Sequence, residues 1–266
     1  MSHIHIPDGV LPFWLWSAGF ALTAAVLAIA LWRLRGMDST RKVPLLGVMA
    51  AMMVVSMSIE IVPIAYHINL SVIAGALLGP ALGFVCAFIV EVILALLGHG
   101  GVTVVGLNTL MIGSEVAVGW LLFRAFSRIA GRARVKYGVG IATVLTLAVT
   151  TTMAVAIVGI SGINPRQALE SGVLDPSTLR LENPFGKHAE EAPAEEDVPG
   201  ESLPGESLSL RRFATVVYIL AVPGWLFEAL LTSLMIGFIA KVRPDLLGLG
   251  PPHVPLGEPV TDYGRH

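Results

Sequence analysis

Six apolar stretches run through this chain, and each is longer than the roughly 20 residues that a helix needs to cross a bilayer. They cover 11–32, 43–64, 68–97, 102–123, 138–160 and 214–240. Hydrophobic residues make up 55% of the 266 positions and charged residues only 14%, which excludes an ordinary soluble domain. The sequence therefore predicts an all-α fold, an integral membrane helical bundle.

The third stretch contains Gly79-Pro80 at its centre, a pair that stops one helix and starts another. We therefore divide it into a short helix, 68–78, and a second helix, 80–97. The expected count becomes about seven transmembrane helices, one of them short and broken at Gly79-Pro80.

Lys and Arg predict the orientation, because cytoplasmic loops of membrane proteins are enriched in them. If 68–97 were a single span, the basic cluster at 124–136 would fall outside. With two spans every basic cluster is cytoplasmic, so we expect the N-terminus outside and the C-terminus inside, in the cell inner (cytoplasmic) membrane. The clusters are Arg33, Arg35, Arg41 and Lys42, then Arg124, Arg128, Arg132, Arg134 and Lys136, and finally Lys241 and Arg243.

Composition divides the chain into five parts. The segment 165–212 is rich in Glu and Pro, and its middle, 172–208, has the composition of a disordered extracytoplasmic loop. The first residues have no basic n-region, which argues against a cleaved signal peptide. The predicted parts are a metal-binding tail 1–10, a bundle of six spans 11–164, the loop 165–212, the last helix 213–243 and a cytoplasmic tail 244–266.

Four of the seven histidines converge on the outer face in this topology, namely His3, His5, His67 and His99. Imidazole suits nickel, cobalt, copper and zinc, whereas magnesium and calcium prefer oxygen ligands. The alternative is that these histidines are ordinary polar residues at the membrane interface and do not bind metal. His188, in the acidic loop, is expected to be only solvated.

The N-terminus offers a second type of ligand, since a free α-amine and a neighbouring backbone amide can chelate a metal together with an imidazole. Met1, Ser2 and His3 supply this arrangement, and Ser2-His3 still supplies it if Met1 is removed. Such nitrogen chelation favours Ni(II) and Cu(II), with Co(II) also compatible.

Several polar groups are candidates to support this site. Asp8 lies in the turn signature Pro7-Asp8-Gly9, which would fold the tail back. Asp8 could cap the first span or orient an imidazole, and we prefer the turn-and-orientation role. Glu60 is expected near the outer end of the second span. Asn108 has two equal readings, bracing a ligand or satisfying loop backbone. Carboxyl groups within spans are costly, so they should face the bundle interior or a partner; here they are Glu60, Glu91, Glu115 and Glu228.

The second span carries a methionine stripe, Met49, Met52, Met53 and Met57, which is typical of adaptable packing. Gly47 and Ala51 form a small-xxx-small pair that permits docking of another membrane helix. Cys86 is expected to be a small buried hydrophobe. The sequence has no P-loop, which excludes nucleotide binding of that type, and no HExxH motif, which excludes the commonest intramembrane metalloproteases. A net charge of −2 gives no basic excess for binding nucleic acid.

Together these segments resemble the CbiM/NikM family, the substrate-binding (S) components of energy-coupling factor (ECF) transporters. The resemblance covers nearly the whole chain outside 165–212 and the last 20 or so residues. It rests on His5-Ile6-Pro7-Asp8-Gly9, on His67 followed by Gly79-Pro80, on Gly98-His99-Gly100-Gly101 through Gly106-Leu107-Asn108, and on Glu228-Ala229 to Val242-Arg243-Pro244-Asp245.

The resemblance implies a seven-helix component, not itself an enzyme, that captures Co²⁺ or Ni²⁺ as transported ligand and holds no cofactor. The implied ligands are the terminal amine, the amide and imidazole near the N-terminus, and His67. The implied partners are a CbiQ/NikQ-like membrane T component, two CbiO/NikO-like ATPases and in many systems a small CbiN/NikN-like subunit.

Three features of the sequence differ from the family pattern. Ala65-Tyr66 precede His67 in place of Ser-Gly, and His99 replaces an acidic residue. Four residues precede His5, so either His3 or His5 could be the N-terminal ligand.

Two rival functions remain at this stage. A secondary metal transporter or channel, independent of ATP, often shows inverted repeats, yet Gly79-Pro80 has no clear counterpart in the second half. A membrane metalloenzyme would need an open coordination site and a general base, and no motif of fixed spacing supplies them.

Overall fold

The computed structural model describes residues 11–36, 42–59, 67–98, 101–130, 135–161 and 210–250. Within these ranges the secondary structure is helical and contains no strand. The described residues form six α-helices: α1 Phe13–Leu34, α2 Lys42–Ser58, α3 Ser71–Leu96, α4 Val105–Ala130, α5 Val135–Ser161 and α6 Leu210–Val242. Short 3₁₀ turns cover Val102–Val104 and Pro244–Leu247.

Five of these helices are long and apolar enough to cross a membrane: all except α2, which has 17 residues. Large apolar side chains also cover the outside of the bundle, as at Leu96 and Ile129, which are 79% and 82% exposed. A water-soluble protein would not present so much apolar surface on so many helices. The expected all-α membrane bundle is therefore confirmed, and the chain is a multi-pass membrane protein.

Helix α2 is shorter than the predicted span 43–64, because it ends at Ser58. Pro63 explains this correction, since a proline ring clashes with the carbonyl of the residue four positions earlier. That residue is Ile59, the first position after the helix. The helix α2 thus ends before the apolar stretch of the sequence does.

Gly79 reverses the direction of the chain inside α3. Its φ of 76° and ψ of 176° lie in a region used almost only by glycine, and Pro80 starts the second half of the element. A side chain on Gly83 would lie 3.8 Å from the carbonyl oxygen of Ala74. Residues nine positions apart in a continuous helix are separated by about 13 Å, so the two halves fold back on each other.

Contacts with α4 show the same reversal. In the second half, Phe84 packs on Gly113 and Glu91 lies beside Asn108, so this half runs antiparallel to α4. The first half runs the other way, because Asn69 contacts Glu115. Gly79, ten residues after Asn69, lies beside Trp120, which is closer to the C-terminal end of α4.

The methionine stripe of α2 is a packing surface, as expected. Met49, Met53 and Met57 are almost completely buried in the main hydrophobic core, which α2 forms with α3, α4, α5 and α6. Cys86 of α3 is fully buried there, with its Sγ 3.9 Å from Sδ of Met53. These side chains fill irregular space between helices.

Helix α1 approaches α4 closely through glycine. A Cβ on Gly106 would lie 2.6 Å from the backbone nitrogen of Phe20, so only glycine fits. The buried Thr23 hydroxyl donates a hydrogen bond to the Gly106 carbonyl oxygen at 2.6 Å. This polar contact stabilises the first span against the centre of the bundle.

Three predicted parts lie wholly or largely outside the described residues. They are the tail 1–10, nearly all of the loop 165–212, and the C-terminal tail after residue 250.

Replacing Gly79 with Ala should lower the stability of the bundle by about 1–3 kcal/mol, because a Cβ is strained at this φ and ψ. No crowding contributes, since the nearest atom, Nε1 of Trp120, would be 3.9 Å away. Thermal unfolding of the purified chain in detergent measures the effect. Gly47→Ala is the control, because Gly47 lies within helix α2 with nothing within 4 Å. A Gly79→Ala protein that melts with the wild type would contradict the reversal.

Candidate functional site

Of the predicted site residues, the structure describes His67, Asn108, Gly47 and Ala51. Met1, Ser2, His3, His5, Asp8, Glu60 and His99 lie outside the described residues. Among the residues that are described, no group of three or more His, Cys, Asp and Glu side chains comes together. The complete set of predicted metal ligands therefore stays a prediction, and His67 is its described member.

His67 begins a short non-helical segment, 67–70, that leads into α3. Asn69 organises the end of this segment, because its Oδ1 accepts a hydrogen bond from the backbone N–H of Ser71 at 3.1 Å. Leu70, between them, has a φ of 55° and a ψ of 19°, a left-handed conformation that is rare for a residue with a branched side chain. The start of α3 is thus a tight turn closed by the Asn69 side chain.

Glu115 of α4 is the centre of a buried polar cluster. It is fully buried and accepts two hydrogen bonds, one from Nδ2 of Asn69 and one from Oγ1 of Thr150 at 2.7 Å. The Ser71 side chain lies beside the same carboxyl group. This cluster joins the segment before α3 to both α4 and α5.

The cluster lies deep in the bundle. Glu115 is the eleventh residue of α4, about 15 Å from the start of that helix. The hydrocarbon core of a bilayer is about 30 Å thick. The segment that carries His67 therefore contacts α4 near its middle rather than at one end.

A second polar pair lies on the same face of α4. Asn108, two turns before Glu115, lies beside the Glu91 carboxyl group of α3, and both side chains are buried. The two roles that the sequence left open for Asn108, bracing a ligand or satisfying loop backbone, stay predictions. Oδ1 of Asn108 and Oε1 of Glu91 have no hydrogen-bond partner among the described residues.

The interior is acidic. Glu91, Glu115 and Glu228 are all buried, whereas no Lys or Arg is buried in the described part of the chain. Glu228 of α6 lies within electrostatic range of Glu115. The expectation that these carboxyl groups face the bundle interior is confirmed.

Sequence reasoning missed Asn69 and Thr150. Asn69 is a polar residue within an apolar run, two positions after His67, which was a usable signal. Thr150 belongs to the run Thr150-Thr151-Thr152, and threonines within membrane helices commonly bond to their own backbone. Nothing in the sequence selects the one that contacts Glu115.

Gly47 and Ala51 lie on an open side of α2. A side chain on Gly47 would meet no atom within 4 Å, and Ala51 is exposed. The small-xxx-small surface is therefore accessible in this chain, as docking of a partner helix requires.

Comparison with known proteins identifies the family. The sequence matches the family model CbiM, described as "Cobalt uptake substrate-specific transmembrane region", over residues 5–246. The chain belongs to the CbiM family. The resemblance inferred from the motifs is confirmed.

Two curated relatives match part of this CbiM-family chain. The "Cobalt transport protein CbiM" of Geobacter sulfurreducens is 32% identical over 166 residues, which are 57% of this chain and 48% of the relative. A protein of Archaeoglobus fulgidus named as a fused nickel transport protein, NikMN, is 34% identical over 131 residues, 47% of this chain and 43% of the relative. The matched regions thus span about half the length of these relatives.

Two solved structures share the fold. A crystal structure of a transition metal transporter superposes with a TM-score of 0.65 at 17% identity, covering 90% of this chain and 93% of the other. A truncated transition metal transporter gives the same score and identity over 90% and 99%. At this identity the likeness is one of fold.

Removing either partner of the Glu91–Asn108 pair should destabilise the bundle, because the other is left buried without its polar neighbour. A double-mutant cycle of Glu91→Ala, Asn108→Ala and the double variant should give a coupling of about 1 kcal/mol in thermal unfolding. Thr152→Val with Tyr218→Phe is the positive control cycle, since these two hydroxyl groups are hydrogen-bonded at 2.5 Å and should also couple. Strictly additive effects at Glu91 and Asn108 would show that the pair is not coupled.

Proposed function

We propose that this chain is the substrate-binding membrane component of an ECF-type ABC importer that captures Co²⁺ or Ni²⁺. His67 supplies an imidazole ligand, and the N-terminal residues supply the others through the terminal amine and either His3 or His5. His99 is positioned in sequence to add a nitrogen or to alter the metal preference. The chain hydrolyses no ATP itself.

The observation that carries the proposal is that the segment containing His67 lies near the middle of the bundle. The contact between Asn69 and Glu115 holds this segment near half the length of α4. A ligand at this depth can receive a metal from one face and remain enclosed by helices. Three carboxyl groups are buried in the described part of the bundle, and no Lys or Arg is buried with them.

The proposed topology has seven crossings, one of them made by the first half of α3 with the described residues 67–70 before it. In this topology the N-terminus is outside, the C-terminus is cytoplasmic, and the reversal at Gly79 lies at the cytoplasmic end, near Trp120 and Arg124. Arg124 stacks 5.4 Å from the Trp120 ring centre, a pairing suited to a membrane interface.

Energy for transport comes from partners. A CbiQ/NikQ-like T component docks in the membrane, two CbiO/NikO-like ATPases hydrolyse ATP, and a small CbiN/NikN-like subunit joins the complex. The open face of α2 at Gly47 and Ala51 offers a close-packing surface for such a helix.

Purified full-length chain incubated with Ni²⁺ or Co²⁺ and then desalted should retain bound metal by elemental analysis. His67→Ala should weaken binding by at least about tenfold, because it removes a ligand. His3→Ala and His5→Ala, tested separately, identify the N-terminal ligand by the same loss.

His188→Ala is the matched control and should bind as the wild type does, since this residue belongs to the acidic loop. A wild-type chain that retains neither metal, or a His67→Ala chain that retains both unchanged, would disprove the proposed function.

A further inference from the structure

We propose that Asn69, Glu115 and Thr150 form a clamp whose role is to fix His67 in position for the metal. This inference rests on the proposed function, because it assumes that His67 is a ligand. Asn69, Glu115 and Thr150 are positioning residues, since they act through the backbone that carries His67.

Each oxygen of the Glu115 carboxyl group accepts a hydrogen bond from one of the other two clamp residues. Oε2 accepts from Asn69 and Oε1 accepts from Thr150 at 2.7 Å. Thr150 Oγ1 also lies 3.2 Å from the carbonyl oxygens of Thr146 and Leu147, but a hydroxyl has one proton and the carboxylate is nearer. Two helices therefore hold Asn69 through one carboxyl group.

Asn69 transmits this restraint to the backbone because both the nitrogen and the oxygen of its side-chain amide are hydrogen-bonded. Nδ2 donates to Glu115, while Oδ1 accepts from the Ser71 N–H. The turn between them contains the left-handed Leu70, whose carbonyl oxygen accepts the N–H of Ala74 at 3.0 Å. A strained residue of this type persists only where surrounding contacts over-determine it.

His67 lies within two residues of the clamped side chain, which places their Cα atoms no more than about 7 Å apart. A metal ligand must be held within about 0.5 Å of its working geometry by supporting contacts. Releasing Asn69 would allow the turn at Leu70 to relax and would move the imidazole. Loss of supporting partners typically weakens metal binding 10- to 100-fold.

Hydrogen bonding, and not the charge of Glu115, is what the clamp requires. Glu115→Gln keeps an acceptor oxygen for Asn69, and its amide can donate to Thr150 after the hydroxyl rotates. Glu115→Leu removes both contacts. The clamp therefore predicts near wild-type metal affinity for Glu115→Gln and a loss of about tenfold or more for Glu115→Leu.

The test compares metal binding by full-length variants in detergent, using Ni²⁺ titration calorimetry and the visible absorption spectrum of bound Ni²⁺ or Cu²⁺. Asn69→Ala and Thr150→Val should each bind at least about tenfold more weakly and shift the spectrum. Thermal unfolding checks that each variant is folded. If Asn69→Ala does not fold, Thr150→Val and the two Glu115 variants decide the question.

Thr146→Val is the matched control. Thr146 is equally buried on α5, but its hydroxyl bonds to the Ala142 carbonyl oxygen of its own helix at 2.8 Å. It should change neither affinity nor spectrum.

The outcomes separate the clamp from the proposed function. Folded Asn69→Ala and Thr150→Val proteins that match Thr146→Val while His67→Ala loses metal overturn the clamp alone. Equal losses in Glu115→Gln and Glu115→Leu also overturn it, in favour of a charge effect. Binding that is absent in the wild type or insensitive to His67→Ala overturns both proposals.

Discussion

The structure depends on the way one buried carboxyl group is satisfied inside an apolar bundle. Lipid offers no hydrogen bonds, so polar groups in the interior must find partners on neighbouring helices. Glu115 finds them on both sides, in Asn69 before α3 and Thr150 in α5. The position of the non-helical segment that carries His67 follows from this pairing.

The reversal at Gly79 makes this pairing possible. Because the second half of α3 runs antiparallel to α4 and the first half runs parallel to it, the first half can begin near the middle of α4. A single straight helix from Ser71 to Leu96 could not bring both Asn69 to Glu115 and Glu91 to Asn108. The non-helical backbone before α3 is tolerated because its last two residues, Asn69 and Leu70, are buried in protein.

The sequence predicted the features that depend on composition and local chemistry. Apolar length gave the spans, Gly79-Pro80 gave the interruption, and the costly burial of Glu91, Glu115 and Glu228 placed them in the interior. It did not reveal the partners of these residues, because Asn69 and Glu115 are 46 positions apart and no local pattern joins them. The early end of α2 was also missed, although Pro63 was a local signal. The N-terminal ligands His3 and His5 stay predictions.

X-ray absorption at the Ni or Co edge of the loaded, full-length chain tests the central claim most directly, since it reports the atoms around the metal. The account predicts a first shell of nitrogen with the outer-shell scattering of imidazole, and weaker imidazole scattering in His67→Ala. Sulfur in the first shell would instead assign the metal to methionine or cysteine, and imidazole scattering unchanged in His67→Ala would contradict the role of His67.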